Sequence, residues 1–237
     1  MPIHSCAGSD IKLACGCQLN KCSTCEATHS TFKCLTHLPS YPHRNDDKTY
    51  FAPGVKDNIP QNAHVCNELK TALSEMNVFL PGSGRALEIG AGIGRYAPMI
   101  MLARLSYEAV EPSPWAAEFI RKAYLSPVLQ CSFEEAQLPA ESFSLVLAVH
   151  VLEHLKDPRT ALEKIFSLLI PDGQFILVVP DSGDLLNPDH YWFFTQKAIT
   201  QWLIDVGFKD VRSVTKKIIK RENFIYAAGW KGRDGSK

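Results

Sequence analysis

At 237 residues, with 46% hydrophobic and 10% aromatic composition, the chain can bury one substantial core with at most a small appendage, which excludes a largely disordered protein. Lysine and arginine total 25 against 25 aspartates and glutamates, so no global positive field exists to attract nucleic acid or an anionic membrane. The longest apolar stretches, Phe143 to Val151 and Phe175 to Pro180, fall far short of the roughly 20 residues of a spanning helix, and MPIHSC lacks a basic region followed by an apolar run. The expectation is a cytoplasmic protein without a membrane or nucleic-acid partner.

Residues 1–45 form a Cys-rich segment with no sustained apolar period. Six of the eight cysteines lie here, and with two histidines they fall into two quartets: His4, Cys6, Cys15, Cys17, then Cys22, Cys25, Cys34, His37. Clustered cysteines in a chain without an export signal favour metal ligation over disulfides. Cys22-x2-Cys25 presents two thiolates to one tetrahedral ion, so the segment is expected to hold one or two structural zinc ions. An unmetallated thiol-rich arm and an iron–sulfur cluster are the alternatives. Pro39 to Pro60 reads as a linker or irregular arm, and Cys66 and Cys131 as small buried apolar residues.

Residues 46–237 carry the regular pattern. Val65, Leu69, Leu73, Met76 and Leu80 recur at helical spacing up to Pro81-Gly82. Then follow a strand over 85–89, helix 95–105, strand 107–111, helix 114–124, short strand 128–132, strand 143–149, helix 159–169, strand 174–179 and helix 195–206. Two β-like runs, 211–216 and 224–230, close the chain without an intervening helix and predict an antiparallel hairpin at one sheet edge. The βαβα order predicts an α/β fold: a doubly wound, mostly parallel seven-stranded sheet with helices on both faces.

The most informative stretch runs from Arg85 to Arg95, RALEIGAGIGR, in which a strand passes through glycines into a helix. Glycines let the backbone turn sharply beside a ligand, and a helix N-terminus offers free N–H donors at the carboxyl edge of the strand. The dinucleotide fingerprint requires glycine where Arg95 stands, which disfavours a nicotinamide oxidoreductase. The stretch closely resembles the first motif of the class I S-adenosylmethionine (SAM) methyltransferases, an acidic residue, one spacer and Gly-x-Gly-x-Gly, matched by Glu88, Gly90, Gly92 and Gly94. The resemblance covers about residues 60–232. It implies SAM as cofactor, bound by the loop that includes Ala91, by Glu111 with Pro112 at the ribose, by Ser132, Phe133 and Glu134 over the adenine, and by Val149. Ser132 and Ser144 stand where that family often has acidic residues.

The run Ala148 to Leu155, AVHVLEHL, is similar to a signature of the small-molecule branch of that superfamily. It implies His150 near the sulfonium, as a general base or as a cofactor or core contact, with His154 one turn onward as a structural residue. Asp189 to Thr195 is similar to the family's substrate-side segment, with His190 or Tyr191 as a polar handle. Trp192, Phe193 and Phe194 either wall an acceptor pocket or pin the next helix to the sheet. His150 and His190 are the catalytic candidates. The reaction expected is methyl transfer from SAM to an oxygen, nitrogen or carbon of a small-molecule acceptor, with sugars and natural-product intermediates among the candidates. The alternative is a zinc-containing binding or regulatory protein that retains SAM as a non-reacting ligand. No motif identifies the acceptor atom or an oligomeric state.

Overall fold

A computed structural model describes residues 8–12, 18–22, 28–30, 58–181, 190–218 and 222–233. Its centre is a seven-stranded sheet of β4 (Arg85–Ile89), β5 (Ser106–Val110), β6 (Val128–Leu129), β7 (Phe143–Val149), β8 (Leu169–Pro180), β10 (Lys209–Ile218) and β11 (Glu222–Trp230), in the order β10-β11-β8-β7-β4-β5-β6. β6, β5, β4, β7 and β8 run parallel; β11 is antiparallel to β8 and to the edge strand β10. The expected hairpin is therefore present at the expected edge.

Strands buried on both faces read as continuous apolar runs, and every residue of β7 except Val149 is buried. Successive side chains alternate between two cores. One contains Leu87, Ile89, Phe143, Phe175 and Trp202, and the other Ala86, Leu145, Leu147, Ile176 and Tyr226. The second lies beneath α1 (Asn58–Glu75), which contributes Leu69, Ala72 and Leu73, with Met76 just beyond its end; Leu69, Leu73 and Met76 hold the spacing that marked this helix in the sequence.

The other helix starts follow from local chemistry. Ser113 accepts from the Ala116 N–H at the start of α3 (Pro114–Tyr124), Asp157 accepts from Thr160 at the start of α4 (Pro158–Leu168), and Thr195 accepts from Ala198 at the start of α5 (Gln196–Val206). In α3 and α4 a proline follows the cap, where its missing N–H costs nothing. Gly207, at φ 118°, ends α5 in the left-handed conformation.

Four expectations change. The helix foreseen over 95–105 contracts to α2 (Ala97–Leu102), because the left-handed Gly90, Gly92 and Gly94 extend the loop before it and Arg104, at φ 63°, ends it early. β8 begins at Leu169, directly after α4, and reaches its apolar run through Asp172 at φ 62°. α1 starts at Asn58, inside the stretch read as a linker. The N-terminal segment contains strands β1 (Gly8–Lys12), β2 (Gln18–Cys22) and β3 (Thr28–Ser30) rather than only irregular chain. These form an antiparallel sheet in which β3 pairs with β9 (Trp192–Phe193), Thr28 opposite Phe193 and His29 opposite Trp192. Neighbouring strands there supply the hydrogen bonds that no local apolar period announces. The expected boundary near residue 45 lies outside the described residues. No described helix is long and apolar enough to cross a membrane.

Candidate active site

The chain leaves β4 for β5 and β6 on one side and returns to β7 and β8 on the other, so the strand order reverses at β4. A crevice at the carboxyl ends of strands is expected at such a switch point. It is present, with a volume of about 360 Å³, and its walls include Gly90, Glu111, Phe133, His150, Val151 and His154. That is sufficient for much of a small organic ligand.

Gly90 leaves β4 at φ 62°, and a side chain there would lie 2.7 Å from Cγ2 of Val151 across the crevice. Glycine is required on both counts, conformation and space. Glu111, the residue after β5, has both carboxylate oxygens engaged: Gly92 N–H donates to Oε2 at 2.6 Å and Ser113 N–H to Oε1 at 2.8 Å. The carboxylate thereby ties the glycine loop to the neighbouring strand, and each oxygen retains a further lone pair for a ligand hydroxyl. Burial raises the Glu111 pKa above its ordinary value, while the Ser113 and Gly92 N–H groups pull it back.

Ser132, Phe133 and Glu134 line the same crevice beside Pro112. Their position depends on a residue with no signature in the sequence. Lys164 of α4 donates to the carbonyls of Phe133 at 2.6 Å, Ala136 at 2.8 Å and Glu134 at 3.2 Å, and its ammonium sits 4.6 Å from the centre of the Phe133 ring. One cation thus secures the turn that carries three crevice residues.

At the end of β7, His150 adopts φ 56°. Non-glycine residues rarely take that conformation, and such strain concentrates at functional positions. Its Nδ1 lies 3.3 Å from Oε1 of Glu153, and its ring meets Phe224 edge-to-face with 4.8 Å between centres. Burial alone would raise the Glu153 pKa, but the hydrogen bond and charge of His150, aided by His154, hold it below the usual carboxylate value. A carboxylate that orients a crevice-lining imidazole is an arrangement suited to accepting a proton.

Gly90, Glu111, Pro112, Ser132, Phe133, Glu134 and His150 meet in one crevice, with Gly92 joined through Glu111. Glu88, Ala91, Gly94, Val149 and His190 are not in its wall. Glu88 is buried on the α1 side, where Tyr107 donates to its Oε2 at 2.5 Å. Ala91 and Val149 belong to the core beneath α1, and Gly94 faces Tyr124 and Ile120 of α3. His190 is buried behind the crevice, its ring 4.9 Å from that of His154. Trp192 stacks on Phe194, and both meet Trp202 of α5 edge-to-face, so these two aromatics pin the helix. His4, Cys6, Cys15, Cys17, Cys25, Cys34 and His37 lie outside the described residues; Cys22 is described only as the backbone at the end of β2.

Comparisons with known proteins agree with the fold. The ubiquinone biosynthesis O-methyltransferase of Schizosaccharomyces pombe is 35% identical over 101 residues, 39% of this chain and 36% of that protein. A tRNA U34 carboxymethyltransferase of Ectopseudomonas mendocina is 31% identical over 150 residues, covering 55% of this chain and 46% of its own. The alignments thus span about a third to a half of these curated relatives. A Thermotoga maritima structure described as a SAM-dependent methyltransferase and possible histamine N-methyltransferase superposes with a TM-score of 0.59 at 23% identity, over 77% of this chain and 96% of that one, a likeness of fold. A profile of the methyltransferase domain matches residues 61–213, and on that match the chain belongs to the methyltransferase domain family.

Proposed function

We propose that the protein transfers a methyl group from SAM to a small-molecule acceptor. The observation that carries this reading is Glu111, held by Gly92 across the strand switch point with lone pairs directed to a crevice of ligand size. The residues fit the cofactor: Glu111 for the ribose hydroxyls, the Gly90 turn for close approach of the chain, and Phe133 with Ser132 and Glu134 for the adenine. When bound, SAM supplies an electrophilic methyl group on a sulfonium. His150, oriented by Glu153, stands at the crevice to receive a proton from an acceptor that must lose one.

Relatives named for tRNA modification give a second reading, RNA as the acceptor. The balanced charge of the chain, 25 basic against 25 acidic residues, favours the small molecule, because RNA affinity draws heavily on neutralised phosphates. Incubation with radiolabelled SAM and a panel of phenols, sugars, amines and unmodified tRNA separates the readings. Label is expected in a small molecule. Label in tRNA alone would replace the acceptor assignment, and SAM bound with no transfer to any acceptor would favour a non-reacting ligand.

For the N-terminal segment the proposal is one or two structural zinc ions held by His4, Cys6, Cys15, Cys17, Cys22, Cys25, Cys34 and His37. Metal binding would supply folding free energy that so short a stretch without an apolar core lacks. Protein purified without chelator is expected to contain about one or two zinc ions per chain. An absence of zinc, or an iron chromophore, would refute this.

A further inference from the structure

We propose that Glu153, His154 and His190 form a divalent-cation site on the acceptor side of the crevice, with an open coordination position that takes an acceptor hydroxyl. The three residues each offer one donor atom, all within 4.8 Å of one another, in a group that no cofactor role occupies. Glu153 and His154 lie in a single 3-10 turn, Leu152–His154, which follows the strained His150. The Tyr191 N–H donates to the Glu153 carbonyl at 2.8 Å, which brings His190 alongside from a distant part of the chain. Backbone geometry therefore holds the group together before any ion arrives.

The carboxylate of Glu153 supplies an independent sign. It is only 1% exposed. Oε1 faces His150, whereas Oε2 is buried with no hydrogen-bond partner among the described residues. A buried carboxylate oxygen with no donor is costly, and a cation is the partner that best offsets the cost. His150 would remain on Oε1 as the outer residue that orients the ligand.

Two imidazole nitrogens and one carboxylate oxygen suit zinc, manganese, iron or cobalt. Around such an ion, with metal–nitrogen distances of about 2.0–2.1 Å, donor atoms stand about 3–3.5 Å apart, a contraction that side-chain rotation can supply. Three protein ligands leave at least one position for water or substrate. Glu153 and His190 are buried, while His154 is exposed in the crevice wall, so the open position faces the crevice. An acceptor hydroxyl would bind there through oxygen. Its O–H bond would break with the electron pair left on the metal-bound oxygen, and the proton would pass to His150. The acceptor class is accordingly a phenol, enol or sugar hydroxyl rather than an amine. That class rests on the methyltransferase reading; the ion site does not.

The test is manganese binding to the full chain, followed by the electron paramagnetic resonance of free Mn²⁺, a hard ion that thiolates of the N-terminal cysteines take up poorly. One Mn²⁺ per chain is expected. His154→Ala, at an exposed position that should spare the fold, is expected to weaken binding at least ~10-fold with an unchanged melting temperature. His190→Ala, at a buried position, is expected to weaken binding at least as much, with some loss of thermal stability. Absence of Mn²⁺ binding, or binding indifferent to His154→Ala, overturns the site. Calorimetry with S-adenosylhomocysteine on the same preparations keeps the two readings apart. Unchanged affinity in His190→Ala, whose side chain lies outside the crevice wall, is expected, whereas no affinity in the unmodified protein would remove the methyltransferase reading and leave the ion site standing.

Discussion

Glu111→Ala is expected to weaken S-adenosylhomocysteine binding by about 10- to 150-fold, or about 1.5–3 kcal/mol, the usual worth of hydrogen bonds to a charged group. The structure adds a second loss to that of the ribose contact. The Gly92 and Ser113 N–H groups both donate to this carboxylate, and its removal leaves two backbone donors without their partner beside the ligand. The glycine loop should then loosen from β5, lowering thermal stability together with affinity. Glu111→Gln separates these effects, since an amide offers one acceptor oxygen and its NH2 must face one of the two N–H donors. Its affinity should fall between those of alanine and the unmodified protein. Affinity within twofold of the unmodified protein for Glu111→Ala would exclude Glu111 as the ribose acceptor.

The second large effect concerns Glu88 and stability rather than binding. Its carboxyl is pushed up to about 8 from the usual value near 4.5, first by burial and further by the charge of Glu111, against the opposing hydrogen bond from Tyr107. The folded protein therefore keeps a proton that the unfolded chain has already released. Stability from this group is complete below about pH 4.5 and is lost as pH rises toward 8, at about 1.4 kcal/mol per unit, several kcal/mol in all. Glu88→Gln mimics the protonated form and still accepts from Tyr107. The variant should melt with the unmodified protein at pH 5 and progressively above it as pH approaches 8. Parallel melting profiles over that window would show that Glu88 is ionised in the folded state.

Lys164 illustrates what no reading of one segment could supply. Nothing near it in sequence distinguishes it from a surface lysine on an amphipathic helix, yet it secures carbonyls 28 to 31 residues away. The same holds for Tyr107, whose partner Glu88 belongs to the adjacent strand. His154, for which the family resemblance implied a structural role, reaches the crevice because its turn is a single 3-10 segment placed shortly after β7.

The class of fold, the order of the seven central strands along the chain, the terminal hairpin and the glycine turn were legible in the residues alone, since each depends on local chemistry. Apolar runs mark buried parallel strands, Ser-Pro and Asp-Pro mark helix starts, and glycine marks left-handed turns. Which of the candidate residues share a crevice, the turn of Glu88 to the core beneath α1 and the pairing of β3 with β9 emerge only in the assembled fold. It also brought His190 beside Glu153 and His154. These outcomes depend on strand order and on hydrogen bonds between distant segments, whose energies are realised only when the sheet has assembled and so leave no periodic trace in the chain.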